Sequence, residues 1–328
     1  MKVVAAEWLP YRLPLKRPWQ TSQGVLKERS GSLLRLETKD GQTGWGDCAP
    51  LPEFGINETN ATSFAEELAH LDLFSQKLGQ PLNSCLSNTA AVTSVAVNAN
   101  LGSISDINQG LVETALKSGF SILKIKVGLG HWQDEVEHLL HLCDGLPLGA
   151  SLRLDANMAW PETEAGLFIS ACTHLPIEGL EEPLRHPDHG GLARLQNLAP
   201  FPIAIDESVH LIDGAFFHHP PTRRLVLKPA RFGGLLKTME IALRAQASGI
   251  ECIVTSSLES NCGLLACAHL AAVIGPKAVH GLGSAEWFTE NTSEEIEVRD
   301  GRMLLPILAG LGFSPHPGHQ LSPSRFKG

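Results

Sequence analysis

The sequence predicts an α/β protein in which a parallel (β/α)8-type barrel follows a small α+β domain. Three observations predict it. Eight short apolar runs, at 94–101, 122–128, 152–157, 178–183, 203–208, 225–230, 252–257 and 279–284, alternate with helical stretches. Charged residues end five successive runs, Lys126, Asp155, Glu181, Asp206 and Lys228, at steps of 29, 26, 25 and 22 residues. Each step holds one strand, one helix and two short loops, and an open sheet as wide as eight strands is uncommon.

The elements follow in order. Val3–Ala6 and Ser32–Glu37 read as short strands, and the turn Lys39-Asp40-Gly41-Gln42 leads into Thr43-Gly44-Trp45-Gly46 as a β-meander. Phe64, Leu68, Leu71 and Leu78 give residues 59–78 a helical period. Between the later strands, helices are expected at 106–119, 132–143, 163–174, 189–199, 234–248 and 263–274. A weaker one at 210–221 is broken by Pro220 and Pro221. The Pro/Gly-rich tail 306–328 is expected to return and pack on the first domain.

Composition narrows the function. With 328 residues the chain can bury a substantial core, and 43% apolar with 19% charged residues is ordinary for a globular protein. A formal charge of −9 argues against nucleic acid or an anionic membrane as partner. It leaves room for a small anionic substrate, because a bound metal and nearby lysines reverse the sign locally. The seven cysteines are scattered and contain no C-x-x-C, which predicts buried thiols in a reducing compartment. Pro10, Arg12 and Pro14 interrupt the only N-terminal apolar stretch, so no signal core is expected and the expected location is the cytoplasm.

The strand ends carry the chemistry. Lys124 and Lys126 share one face of their strand, the inward face of a barrel, because side chains alternate with a period of two. Two buried ammonium groups are expected to lower each other's pKa, which suits a general base. Arg153, Asp155 and Asn157 share a face; Glu181 points inward and Glu182 outward; Asp206 points inward and Glu207 outward. Each acid alone would serve as an N-cap. Three on neighbouring inward strand ends make a hard-oxygen set suited to Mg2+ or Mn2+, with no histidine or cysteine to favour zinc. Lys228 ends the sixth strand, across the ring from the second. Hydroxyls and backbone N–H groups in Thr255–Ser260 and Gly281–Ser284 can hold a carboxylate or phosphate.

In order and spacing, the K-x-K, D-A-N, E-E-P, D-E-S and K-P blocks across residues 122–230 resemble the enolase superfamily, in its muconate-lactonizing branch. The resemblance implies an enolase-like, modified TIM barrel at 92–304, an α+β capping domain at 1–91, and a C-terminal segment, 305–328, packed back on the capping domain. Within the branch, LRLDANMAW with Arg153 and Trp160, SSLES at 256–260 and GLG at 281–283 look most like the o-succinylbenzoate synthases. Dipeptide epimerases of the branch carry an Asp-x-Asp after the eighth strand, absent from Gly281–Ala285, whereas some synthases have aspartate where Gly283 stands. The resemblance implies Mg2+ on Asp155, Glu181 and Asp206, a metal-dependent lyase, and catalytic Lys126, Lys228 and Lys124. It implies a carboxylate substrate near Arg153, Asn157, Ser256, Ser257 and Gly281, and a place in menaquinone or phylloquinone synthesis. Capping loops near 19–24 and 50–57 are expected to close the site. N-acylamino acid racemase, dipeptide epimerase and muconate cycloisomerase are rival activities on the same residues. A non-catalytic binding protein of this fold, or a barrel binding phosphorylated sugars, is more remote. No oligomeric state is expected over another.

Overall fold

The alternation of apolar runs and helices becomes a ring of strands. The computed structural model describes residues 2–21 and 24–316. The first domain is an antiparallel sheet of β1 (Val3–Thr21), β2 (Gly24–Thr38) and β3 (Thr43–Cys48), in that order. α1 (Glu58–Leu78) lies across β3, and α2 (Leu82–Ser87) follows. The approach of α1 is close: a Cβ on Gly46 would overlap the backbone of Ala65.

The barrel begins with β4 (Ser94–Val97) and β5 (Ala99–Ser103), one strand bent at Asn98. α3 (Gln109–Lys117), β6 (Ile122–Lys126), α4 (Trp132–Cys143), β7 (Ser151–Asp155), α5 (Glu162–Cys172), β8 (Ile177–Glu181) and α6 (His189–Leu198) follow. Then come β9 (Ile203–Ile205), the short α7 (Gly214–His218), β10 (Arg224–Leu227), the one-turn α8 (Pro229–Phe232), α9 (Leu235–Ala247), β11 (Glu251–Val254), α10 (Asn261–Ile274) and β12 (Val279–His280). β5 to β11 pair in parallel, in chain order. A parallel bridge from Thr255 to Gly281 joins β11 to β12, and β12 pairs with β4, which closes the ring.

The period of two sorts the side chains. Leu123, Ile125, Leu152, Leu154, Leu180, Leu225 and Leu227 are fully buried beneath the helices, while the alternate positions, Lys124, Lys126, Arg153 and Asp155 among them, line the interior. α10 is buried on nearly every side, because β3 and α2 cover the face that other helices turn to solvent.

Two segments depart from the expected elements. β1 and β2 are far longer than the short strands expected at 3–6 and 32–37. β1 is the edge of its sheet, where Pro10 and Pro14 cost no inner ladder bond. Leu9, Tyr11, Leu13 and Leu15 alternate as its buried face. β13 (Val298–Arg299) and β14 (Arg302–Leu304) were not expected; β14 pairs antiparallel with β4. Beyond it the chain reaches the first domain: Gly310 exchanges backbone bonds with Gln80 and Leu82, and Phe313 packs edge-on against Trp45. Of the segments named for closure and return, residues 22–23 and 317–328 lie outside the described residues. No described helix is long and apolar enough to cross a membrane.

Candidate active site

The mouth of the barrel, at the carboxyl ends of its strands, gathers the charges. Lys126 pairs in register with Asp155, and Asp155 with Glu181, so the three stand side by side on β6, β7 and β8. Lys124, one layer deeper, sends its ammonium to Asp155 Oδ2 at 2.9 Å and Glu181 Oε2 at 2.5 Å. Lys228 pairs with Asp206 Oδ2, and Arg231 donates to Asp206 Oδ1 at 2.9 Å. Among the described residues Lys126 has no ion-pair partner.

Electrostatics at this end depart from the expectation for Lys124. Burial works to depress the Lys124 pKa, but Asp155, Glu181 and Asp206 outweigh it and hold the group well above its ordinary value. Mutual repulsion between Lys124 and Lys126 is therefore not what governs Lys124. Burial likewise works to raise the Asp206 pKa, yet Lys228 and Arg231 hold it well below the carboxylate range.

Two acids assigned to the outer face are part of the mouth. Glu182 has φ +43°, which turns it out of strand geometry into a buried position. There it accepts from Asp206 N (2.6 Å), Ser208 N (2.7 Å) and Ser208 Oγ (2.7 Å), so it orients the segment that carries Asp206. Burial pushes its pKa up to about 7. Glu207 follows the end of β9, where alternation stops, and accepts from Asn157 Nδ2 at 3.0 Å. Burial, then the charges of Asp206 and Asp155, push its pKa up to about 8.

Several proposed substrate contacts are differently employed. Arg153 faces inward, but one layer below the mouth. Its guanidinium donates to both oxygens of Glu178 (2.9 and 3.1 Å), to Asn98 Oδ1 and to Val279 O, which makes it part of the barrel floor rather than a substrate ligand. Gly281 N donates to Val254 O, and its carbonyl accepts from Ser256 N and Thr255 Oγ1, so its polar groups close the ring. Asn157 is exposed at the mouth. Ser256 Oγ donates to Ser284 Oγ at 2.6 Å, and the buried Ser257 Oγ has no hydrogen-bond partner among the described residues.

The first domain reaches this mouth through residues 50–57. The Phe54 ring lies 5.5 Å from Lys228 Nζ, and Arg231 Nε donates to Phe54 O at 2.9 Å. Arg231 thus ties Asp206 to the capping loop. Sequence reasoning passed over it, although its place in the single turn after Lys228 was a usable signal.

The donor chemistry fits a hard divalent cation. Asp155, Glu181 and Asp206 are inward, buried, and each is in contact with a lysine ammonium. In this arrangement no three His, Cys, Asp or Glu side chains among the described residues are drawn together tightly enough to grip one ion.

Comparison with known proteins agrees with this architecture. Residues 109–318 match the family described as "Enolase C-terminal domain-like", and residues 4–97 match "MenC, N-terminal domain". The chain is 30% identical over 291 residues to an o-succinylbenzoate synthase of Klebsiella pneumoniae (strain 342), covering 83% of this chain and 88% of that protein. It is 26% identical over 313 residues to an L-Ala-D/L-Glu epimerase of Bacillus subtilis (strain 168), covering 83% and 85%. Among solved structures, a dipeptide epimerase from Cytophaga hutchinsonii complexed with Mg and D-Ala-L-Val superposes with a TM-score of 0.85 at 21% identity, covering 98% of each chain. A muconate lactonizing enzyme from Pseudomonas fluorescens superposes with a TM-score of 0.83 at 22% identity, covering 96% of each. The chain belongs to the enolase-like family and is an enzyme of that family.

Proposed function

We propose that this enolase-family enzyme is an o-succinylbenzoate synthase, which removes water from 2-succinyl-6-hydroxy-2,4-cyclohexadiene-1-carboxylate. The observation that carries the proton-abstraction chemistry is Lys126, an inward charge with no ion-pair partner among the described residues. It stands beside Asp155 and Glu181, four strands away from Lys228 in a ring of eight. The roughly 30% identity to o-succinylbenzoate synthases over most of the chain supports the substrate.

The proton to be lost is α to a carboxylate and weakly acidic. Mg2+ on Asp155, Glu181 and Asp206 would supply a Lewis acid for that carboxylate and for the charge that develops on it. Lys126 Nζ takes the α-proton and returns it to the departing hydroxyl on the same face. The C–H and C–O bonds break, a ring double bond forms, and water leaves. Lys228 stays protonated beside Asp206 and presents its cation to the developing anion, with the Phe54 ring against it. Lys124 neutralises the carboxylate cluster from below. Ser256 and Ser257 face the remainder of the substrate, and the loop at 50–57 excludes water.

Epimerase activity is the rival, since the same two lysines serve as opposed bases in that chemistry. The absence of an Asp-x-Asp in Gly281–Ala285 removes the natural partner for a dipeptide amine. The test offers purified protein the cyclohexadiene carboxylate with Mg2+ and with EDTA, and in parallel N-succinylamino acids and dipeptides in D2O. Metal-dependent o-succinylbenzoate formation is expected. Deuterium entry into the amino acids or dipeptides without dehydration of the diene would move the substrate.

A further inference from the structure

Outside the mouth, one buried acid has a task that helix formation does not require. Glu135 lies in the first turn of α4, on the outer ring of helices, and is only 5% exposed. It does not bond to its own helix start. Its carboxylate turns back and accepts from three successive backbone amides: Gly128 N at 2.7 Å, Leu129 N at 2.9 Å and Gly130 N at 3.1 Å. Charge-assisted bonds of this kind are short and about twice as strong as neutral ones. Three of them on one loop fix its backbone more firmly than a surface connection usually is.

That loop begins two residues after Lys126. Val127 N donates to Asp155 O at 2.9 Å, which ties the lysine's own backbone to the neighbouring strand. Gly128 has φ +78°, and a Cβ there would overlap the Ala159 methyl, so the loop is pressed against residues 156–160, which follow Asp155. Glu135 therefore holds the loop that leaves Lys126, and that loop in turn rests against the residues that follow Asp155. A base must meet its proton at hydrogen-bond range, and a misplacement of about 1 Å costs on the order of 100-fold in rate.

We propose that Glu135 is the positioning residue for Lys126: its carboxylate holds the 128–130 loop and so sets where the ammonium stands relative to Asp155. The proposal rests on Lys126 as the base of the proposed reaction. It makes Glu135 no substrate or metal contact. Removing its grip should lower kcat while leaving KM and Mg2+ affinity near wild type.

The experiment compares the full-length wild type with Glu135→Gln, Glu135→Asp and Lys126→Ala, well below their unfolding temperatures. Two readouts are taken. One is steady-state dehydration of the cyclohexadiene carboxylate; the other is competitive acetylation by acetic anhydride, read for each lysine by peptide mass spectrometry. Glu135→Gln, which turns an amide donor toward the loop amides, is expected to lose about 10–100-fold in kcat. The acetylation rate of Lys126 should change several-fold in this variant, while that of exposed Lys237 does not. Glu135→Asp should fall between it and wild type. An inactive Lys126→Ala beside a Glu135→Gln with wild-type kcat and wild-type Lys126 labelling overturns the proposal and leaves the base assignment standing. Wild-type turnover by Lys126→Ala sinks the base assignment instead. Should the wild type not act on this diene, the labelling result decides the positioning role alone.

Discussion

The two ends of the barrel are both built from buried charges, yet only one is at rest. On the floor, Glu178 takes bidentate contacts from Arg153 and from Arg224, and Arg224 also reaches Glu251 at 2.7 Å. Burial would raise the Glu178 pKa, but Arg153 and Arg224 more than offset it and hold the carboxyl below its usual range. Every charge there faces its opposite. At the mouth, Glu207 Oε2, Ser257 Oγ and Glu259 Oε1 are buried with no hydrogen-bond partner among the described residues, and Lys126 has no ion-pair partner among them. Asn157, Met158, Glu182 and Leu258 have positive φ, and all four follow β7, β8 or β11 at this end. The difference teaches where to look for chemistry. Ionic clusters that close on themselves stabilise the ring, and irregular backbone at the strand ends marks where chemistry is placed.

Substitutions at the two ends should therefore fail in different ways. The largest effect belongs to the mouth. Lys126→Ala should lower kcat by about 10²–10⁴-fold, the usual worth of a general base, with the unfolding midpoint little changed. Wild-type kcat would place the base elsewhere. On the floor, Arg153→Met takes the guanidinium out of a fully buried position and leaves the half-buried Glu178 with a single arginine beside it, which should cost about 3–5 kcal/mol of stability in a denaturant titration. Its turnover per folded molecule should match wild type. A loss of kcat in the folded fraction would return Arg153 to the substrate site.

The next effect is pH-dependent and belongs to neither end. His269, buried in α10, accepts from Asn83 N and donates to Leu311 O, and burial pulls its pKa down to about 4. The unfolded chain binds this proton near pH 6.5 and the folded one does not. Stability is then complete above pH 6.5 and declines as pH falls toward 4, by about 3 kcal/mol from this group. His269→Asn should be less stable at neutral pH and should lose this part of the acid slope. Parallel stability–pH curves for the two proteins would refute the buried neutral histidine. The smallest effect is Ser256→Ala, expected to raise KM about 2–10-fold with kcat kept, since one neutral hydroxyl contact is worth about 1 kcal/mol. An unchanged KM would take Ser256 out of the substrate site.

Much of this was legible in the sequence, for one physical reason. Where backbone geometry is regular, a period of two fixes which way a side chain points, so Lys126, Asp155, Glu181 and Lys228 could be placed inside the ring from spacing alone. Alternation gives direction but not depth: Arg153 faces inward as expected, yet lies on the floor and not at the mouth where the resemblance implies a substrate. It also fails where strands end. Glu182 and Glu207 lie in irregular backbone, and their contacts at the mouth follow from turns that no periodicity encodes. Glu135 and Arg231 act through contacts that span loops, and each looked like an ordinary helical charge. β1 is the converse case: Leu9, Tyr11, Leu13 and Leu15 alternate through two prolines, which only an edge strand tolerates.

The most direct test of the mouth as a metal-centred site is calorimetric titration of Mg2+ into wild type and Asp206→Asn. One Mg2+ per chain is expected in the wild type, with affinity at least about tenfold weaker in the variant. Absence of binding in the wild type, or equal affinity in both, would contradict the assignment of Asp206 and its neighbours to the metal.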